Sequence, residues 1–565
     1  VDSLGAVELR NLLLRVLGED AVLPSTLVFD YPTARQVHSL VLQVATPAGQ
    51  SFSSSTRAVR DDTEGAALIG AQVKLAGVSV NLPVGVSSLK ALKKFSHSSS
   101  DLVTQIPSTR WHVRETPPEL HLLGSSVLGR VRHGAFLQSA HLFGNKFFGI
   151  SAEEALAMDP QQRMLLDRGY AALHAVGCTK STLADSVVAV GVGQWASEYA
   201  PVLYASPLRT SMYSSTGVTC SVTCGRVSFA LGLQGPCSSY DTACSSALVA
   251  NHSCARALQL GECDLALSAG VNMLLDPAAM LGNAIAGFTS ARGRCSTFDA
   301  RADGYARGEA IDALACELGS ANVEESGVGL VGSAIRQDGR SASLTAPNGQ
   351  AQQAVLSSAL RDACRNANDM AVVEAHGTGT SLGDPIEVRA MVTVCVGRRK
   401  ADCAPLGVGS QKANLAHTEP GAGIAGAFRL LMQLWDVSLS PNAQLRMLNP
   451  LAETLRSENC VLPTQHMLIT LENRCGGVSS FGYAGTIAHA MLALHDVSGA
   501  KGGVARALES SKLAYRRRTF PWRDSRALHE ESAEYASASN RLSSATDLVT
   551  PPAGPLLAGA LRLPF

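Results

Sequence analysis

Between Val187 and Ala493 short apolar runs alternate with stretches of helical periodicity, and that alternation constrains the fold more than any other feature. Val187 to Gly193, Ser238 to Asp241, an apolar run ending at His376, and Leu406 to Ser410 predict strands. Ala66 to Gly70 is a further buried-strand candidate. Ala152 to Leu173 and Ser245 to Leu260 predict helices, the second closed by Gly261. Strands interleaved with helices in this way predict a layered α/β domain.

Three predicted strands end on groups that carry chemistry. Ser238 to Asp241 runs into Thr242-Ala243-Cys244-Ser245-Ser246, which puts Cys244 on a tight strand-to-helix turn. Free N–H groups and the positive end of the helix dipole favour a thiolate there. The second strand ends at His376, followed by Gly377-Thr378-Gly379-Thr380 and then Asp384-Pro385, read as a helix cap with Pro at the first position. The third leads through Lys412-Ala413-Asn414-Leu415-Ala416 to His417. One thiol and two imidazoles at strand ends suit an acyl-thioester condensation. The thiol holds the acyl chain, and the histidines stabilise or protonate the second substrate.

These stretches resemble the ketosynthase (β-ketoacyl synthase) domain of modular polyketide synthases. Met158 to Arg163, Asp241 to Ser246, Leu344 to Gly349, Glu374 to Glu387, Lys412 to His417 and Gly476 to Gly482 carry the resemblance, which spans about Ala66 to Leu494. It implies a thiolase-like fold, two βαβαβαββ-type halves packed as α-β-α-β-α layers, in a homodimer. It also implies an acyltransferase of the β-ketoacyl synthase type: Cys244 takes the acyl chain, and His376 and His417 stabilise the enolate of a malonyl-type extender as carbon dioxide leaves. The oxyanion would be held by the backbone N–H groups of Cys244 and Phe481. Lys412, with a carboxylate such as Glu387 or Glu309, would tune the electrostatics, Asp384 would support the turn, and Thr378 and Thr380 would hold a pantetheine arm. Met212, Tyr213 and Met280 are placed, from position alone, as lining the acyl pocket. The alternative is a non-elongating or catalytically idle relative that transfers or docks carriers. Its motives are three departures from the family pattern: Lys74-Leu75-Ala76-Gly77, Arg336 and Ile487, the last depriving His489 of a polar neighbour.

The same resemblance divides the chain. Residues 1–45 look like the C-terminal part of an acyl carrier domain, with Ser3 as the phosphopantetheine attachment site. Residues 46–62 read as a Ser- and Thr-rich linker, 63–495 as the ketosynthase and 496–525 as a trailing linker. In that linker Thr519-Phe520-Pro521-Trp522 is expected to pack back on the enzyme. Residues 526–565 read as linker, with Gly554-Pro555-Leu556-Leu557 faintly similar to the start of a dehydratase domain. That order implies partner acyl carrier domains and an extender acyltransferase supplied in trans.

Bulk numbers exclude other classes. Lys plus Arg and Asp plus Glu are 47 each, so nothing calls for nucleic acid or an anionic membrane, and 46% hydrophobic residues exclude a disordered chain. Fourteen scattered cysteines with no Cys-x-x-Cys pair read as reduced and cytoplasmic rather than as metal ligands. Cys220 and Cys224 read as neighbours on a helix. Gly191-x-Gly193-x-x-Ala196 and Gly421-x-Gly423-x-x-Gly426 mimic dinucleotide fingerprints without the acidic residue beyond, so no nucleotide is expected and close helix packing is the preferred reading.

Overall fold

The computed structural model describes residues 12–18, 38, 41–42, 72–111, 125–319, 327–400, 403–457, 459–468, 474–495, 513 and 515–522. The chain divides into two compact units, Val1–Ala66 and Ala67–Phe565. In the first, residues 12–17 are helical, and Gly18 N–H closes the turn on Leu14 O at 3.1 Å. Ser3, the linker 46–62, the strand candidate 66–70 and the tail 523–565 lie outside the described residues.

The second unit is built on an eleven-stranded sheet. Its strands are β1 (Val73–Ser79), β2 (Val188–Gly193), β3 (Cys237–Tyr240), β4 (Leu265–Asn272), β5 (Ala310–Leu318), β6 (Gly327–Gln337), β7 (Val372–Glu374), β8 (Leu406–Gly409), β9 (Cys460–Val461), β10 (Cys475–Phe481) and β11 (Thr486–His495). The order across the sheet is β9-β8-β7-β10-β11-β6-β1-β5-β4-β2-β3. This order contains a duplication. With β9 set aside at its edge, β3-β2-β4-β5-β1 and β8-β7-β10-β11-β6 follow the same path inward, three parallel strands followed by two successive antiparallel pairings. The halves join where Val73 and Lys74 of β1 pair with Leu330 and Gly329 of β6.

Helices α1 (Pro160–Ala175) and α2 (Cys220–Leu231) share an apolar cluster with one half-sheet, and α4 (Gly349–Asp362) and α5 (Gly383–Met391) with the other. Between the half-sheets lie α3 (Ser246–Gln259) and α6 (Ala422–Asp436), whose Leu248, Val249, Ile424 and Phe428 belong to one core. The five α-β-α-β-α layers therefore match the expectation. Gly193 explains its own sequence pattern: a Cβ there would lie 2.4 Å from Ala247 N, so this glycine lets α3 approach β2 and cradles no phosphate.

Several local readings shift. The predicted helix Ala152 to Leu173 is two, Ala152–Ala157 and α1, broken at Met158 because the Asp159 carboxylate caps the second through Gln161 N–H at 2.8 Å. The strand before Cys244 is an edge strand, with Cys237 and Ser238 exposed instead of buried. Of the three departures from the family pattern, Lys74-Leu75-Ala76-Gly77 forms part of strand β1, whose pairing register with β5 shifts between Leu75 and Gly77. Arg336 is exposed and donates to Ser358 Oγ. Ile487 is buried opposite Phe481, and His489 does have a polar neighbour, with Nδ1 2.9 Å from Ser479 Oγ. The trailing linker docks as expected: Arg518 and Thr519 pair with Phe143 and Leu142, and Phe520 is buried on Phe143 with its N–H on His141 O.

Candidate active site

The duplication decides where the site lies. Cys244 follows the third strand of the first half and His417 the third strand of the second, so the two groups occupy equivalent turns and meet between the halves. His417 Nε2 lies 3.0 Å from Cys244 Sγ. Both turns carry an alanine at positive φ. Ala243, one residue before the thiol, has φ +54°, and Ala416, one residue before the imidazole, has φ +67° with ψ −178°. Each costs on the order of 1–3 kcal/mol for a residue with a Cβ, so surrounding bonds must hold it. At Cys244 these come from its neighbours. Ser246 Oγ accepts from Thr242 N–H and donates to Ala243 O, Ser245 Oγ donates to Thr486 O, and Ser480 Oγ donates to the Cys244 carbonyl at 2.6 Å.

His376 arrives from β7. Both oxygens of Glu387 accept from this turn, Oε1 from His376 N–H at 2.7 Å and Oε2 from Gly377 N–H at 2.8 Å. Asp384, expected to cap its helix, is instead the second residue of α5, and its carboxylate accepts from Gly379 N–H at 3.0 Å and Phe298 N–H at 2.8 Å. Burial pushes Glu387 up to about 7 and Asp384 up to about 6. The rings of His376 and His417 stand at 88° with centroids 5.5 Å apart.

The ring nitrogens are assigned by backbone donors. His376 Nδ1 accepts from Phe481 N–H and His417 Nδ1 from Glu419 N–H, each at 3.3 Å. A nitrogen that accepts carries no proton, so each neutral ring holds its proton on Nε2. Burial, with Lys412 next, holds both histidines well below their usual range, so they stay neutral. The pair is therefore two N–H donors, not two bases.

Burial also pushes the Cys244 thiol up to about 12, with Glu419 adding to the rise. Lys412 and the N–H groups of Tyr483 and Cys244 pull the other way. Burial thus works against the resting thiolate expected at the helix start. Lys412 is buried and pulled down by desolvation. The carboxylates that oppose this are Glu374 first and then Glu387. Glu374 is itself held by Arg429 at 2.7 Å and Gln411 N–H at 2.6 Å. Glu309 is corrected as a partner of Lys412. Both its oxygens take Arg110 at 2.8 Å, and it also accepts from Leu137 N–H and Leu274 N–H.

A cavity of about 320 Å³ opens onto Cys244, His376 and His417. Phe481, Thr378, Thr380, Asp384 and Glu387 line it, as do Tyr305, Phe288 and Tyr483, which sequence reasoning missed. Met212, Tyr213 and Met280 do not: Met212 is 84% exposed, and Met280 packs on Trp111 and Phe136 in a separate cluster. None of the three departures from the family pattern lines the cavity.

Comparisons with known proteins give the family. The β-ketoacyl synthase N-terminal domain family matches residues 71–316, which hold Cys244, and the C-terminal domain family matches 329–446, which hold His376 and His417. The chain belongs to the β-ketoacyl synthase family, as a ketosynthase domain of the type I polyketide synthase kind. It is 39% identical to polyketide synthase GfsB of Streptomyces halstedii over 87% of this chain and 9% of that protein. It is 38% identical to the pikromycin polyketide synthase component PikAII of Streptomyces venezuelae over 87% of this chain and 13% of that one. The chain thus spans a small part of the curated relatives it matches. Among solved structures, the ketosynthase from module 6 of the bacillaene synthase of Bacillus subtilis 168 aligns with TM-score 0.66 and 28% identity, covering 75% of this chain and 72% of that one.

Proposed function

We propose that this domain carries out decarboxylative condensation of an acyl chain with a malonyl-type extender borne on an acyl carrier protein. One observation carries the reading: His417 Nε2 lies 3.0 Å from Cys244 Sγ, with the His376 ring at a right angle beside it. Both rings hold their proton on the nitrogen that is not tied to backbone. In the first step the Cys244 sulfur attacks the carrier thioester. The carbon–sulfur bond to the carrier breaks, and the departing carrier sulfur takes the thiol proton. Backbone N–H groups near the sulfur, those of Cys244 and Tyr483, oppose the charge on the oxyanion, and Phe481 N–H joins them once it leaves His376. In the second step the malonyl carboxylate leaves as carbon dioxide, and its electron pair passes into the thioester as an enolate. The two Nε2–H donors stabilise that oxygen. The carbanion attacks the acyl carbon, Cys244 departs as thiolate and takes a proton from solvent, and the β-ketoacyl product stays on the carrier.

Thr378 and Thr380, on the cavity wall with hydroxyls 3.4 Å apart, suit the amides of a pantetheine arm. A homodimer is supported by the exposed edge strand β3 and by Phe229, 90% exposed on the helix packed over it. Among the described residues no helix is long and apolar enough to cross a membrane. The test is incubation with an acyl-N-acetylcysteamine followed by peptide mass spectrometry. One acyl group should appear on the Cys244 peptide and none in Cys244→Ala. Acylation elsewhere, with Cys244 untouched, would refute the mechanism.

A further inference from the structure

Beneath His417 lies a group of charged side chains that the reaction as written does not use. Arg307 is fully buried between two carboxylates. Its Nε donates to Glu419 Oε1 at 2.7 Å, and its Nη2 to Glu419 Oε2 at 2.9 Å and Glu198 Oε1 at 2.5 Å. Asn272 Nδ2 donates to Glu419 Oε2 at 2.9 Å and to Gly308 O at 2.7 Å. Glu198 Oε2 accepts from Leu275 N–H and Asp276 N–H at the end of β4. Trp195 covers the guanidinium, 5.4 Å from its ring centre. All four polar residues are at most 6% exposed, with one guanidinium facing two carboxyl groups. Burying such a group is costly, and replacing it by apolar residues is often neutral or stabilising, so its value as packing alone is doubtful.

Its connections point to a use. Arg307 pairs with His417 backbone to backbone, His417 N–H bonding Ala306 O and Gly308 N–H bonding His417 O, both at 2.8 Å. Two residues on, Glu419 has φ +49°, a strained conformation for glutamate, and from it the backbone N–H reaches His417 Nδ1. The carboxylate of the same residue is what Arg307 grips with two parallel bonds. The clamp thus acts on the turn whose N–H decides which imidazole nitrogen carries the proton. We infer that Arg307, with Glu198 and Asn272, is a positioning unit that clamps Glu419 so that its N–H locks His417 with the proton on Nε2, facing Cys244. The catalytic consequence rests on the condensation proposed above; the tautomer lock does not.

Three variants of the full chain test it: Glu419→Ala, Glu419→Gln and Arg307→Lys, the last keeping the charge but losing the planar fork. The ¹⁵N spectrum of histidine-labelled protein, with His417 assigned through His417→Ala, reports which nitrogen is protonated. In the wild type His417 should show a bare Nδ1 and a protonated Nε2. Glu419→Ala and Arg307→Lys should lose that single signature. They should slow condensation about a hundredfold, as for a misplaced oxyanion donor, while loading of Cys244 falls no more than about fivefold, the loss expected when His417 no longer donates to the sulfur. Glu419→Gln, which still accepts from Arg307, should recover most of the rate. If Arg307→Lys melts with the wild type and keeps both the ¹⁵N signature and the condensation rate, the clamp is structural only and the inference is overturned. Should Glu419→Ala fail to fold, Arg307→Lys decides alone. A wild type that loads but never condenses would sink the proposed function, yet the ¹⁵N response would still decide the clamp.

Discussion

Removing the two imidazoles one at a time should damage the half-reactions unequally. His376→Ala deletes a ring whose Nδ1 accepts from Phe481 N–H, leaving that donor free for the oxyanion, and no bond from His376 to the sulfur is lost. Loading of Cys244 should therefore stay within about threefold, a difference worth well under 1 kcal/mol. Condensation loses one of two enolate donors, about 2.7–4 kcal/mol, or roughly a hundred- to thousandfold. His417→Ala loses the same donor and also the 3.0 Å contact with Sγ. A hydrogen bond contributes about 0.5–1.5 kcal/mol to a neutral partner and about 1.5–3 to a charged one, so its loss disfavours the thiolate by about 1 kcal/mol. Loading should then fall about fivefold in His417→Ala and not in His376→Ala. Intact-mass time courses with an acyl-N-acetylcysteamine read the first step, and carbon dioxide release from a malonyl thioester reads the second. Equal loading in the two variants would refute an Nε2–H donor to the sulfur. Near wild-type condensation in either would refute its role at the enolate.

Two further outcomes follow from buried groups. Burial raises Asp312 from 3.8 to about 8; its Oδ1 accepts from Asn81 N–H, and Arg168 partly offsets the rise. A carboxyl that holds its proton more tightly when folded contributes stability that is complete below about pH 4 and lost as pH rises through about 8. Asp312→Asn keeps an acceptor for Asn81, so urea midpoints of variant and wild type should agree at about pH 4 and separate, with the variant higher, by pH 8. A gap independent of pH would show that Asp312 is ionised throughout. Phe520→Ala removes a side chain only 3% exposed against Phe143 and the Arg163 guanidinium, at a cost of about 3–5 kcal/mol. Hydrogen exchange at 515–522 should accelerate sharply while β4 and β5 remain protected, and unchanged exchange there would mean that Arg163, Tyr515 and the strand pairing suffice.

The nucleophile turn, the two histidine turns and the alternation of strands with helices were legible because each is written in local signals, whereas the five layers and the docking of Phe520 came from the family resemblance. Apolar runs end in glycine, serine or aspartate, and helical periodicity begins at once. The break between Met158 and Pro160 was legible too, in an aspartate before a proline, although the surrounding helical pattern masked it. Glu309 was misplaced for the opposite reason. Nothing local separates it from Glu374 as a partner for Lys412, and the outcome depends on Arg110, 199 positions away, reaching it first. Met212 and Met280 failed likewise, because lining a cavity is a property of neighbours in space.

The sequence by itself determined which backbone conformations are cheap, and so where strands end and where Cys244, His376 and His417 emerge. Tertiary structure decided their chemistry. The two half-sheets follow the same path without a sequence repeat to announce it, and that duplication brings Cys244 and His417 to within 3.0 Å. Which ring nitrogen holds the proton depends on single N–H groups of Phe481 and Glu419, and whether the thiol is ionised depends on how much water the closed core excludes. Dihedral preferences act over a few residues, whereas desolvation and hydrogen-bond direction are set by whatever packs within a few ångströms, however distant along the chain.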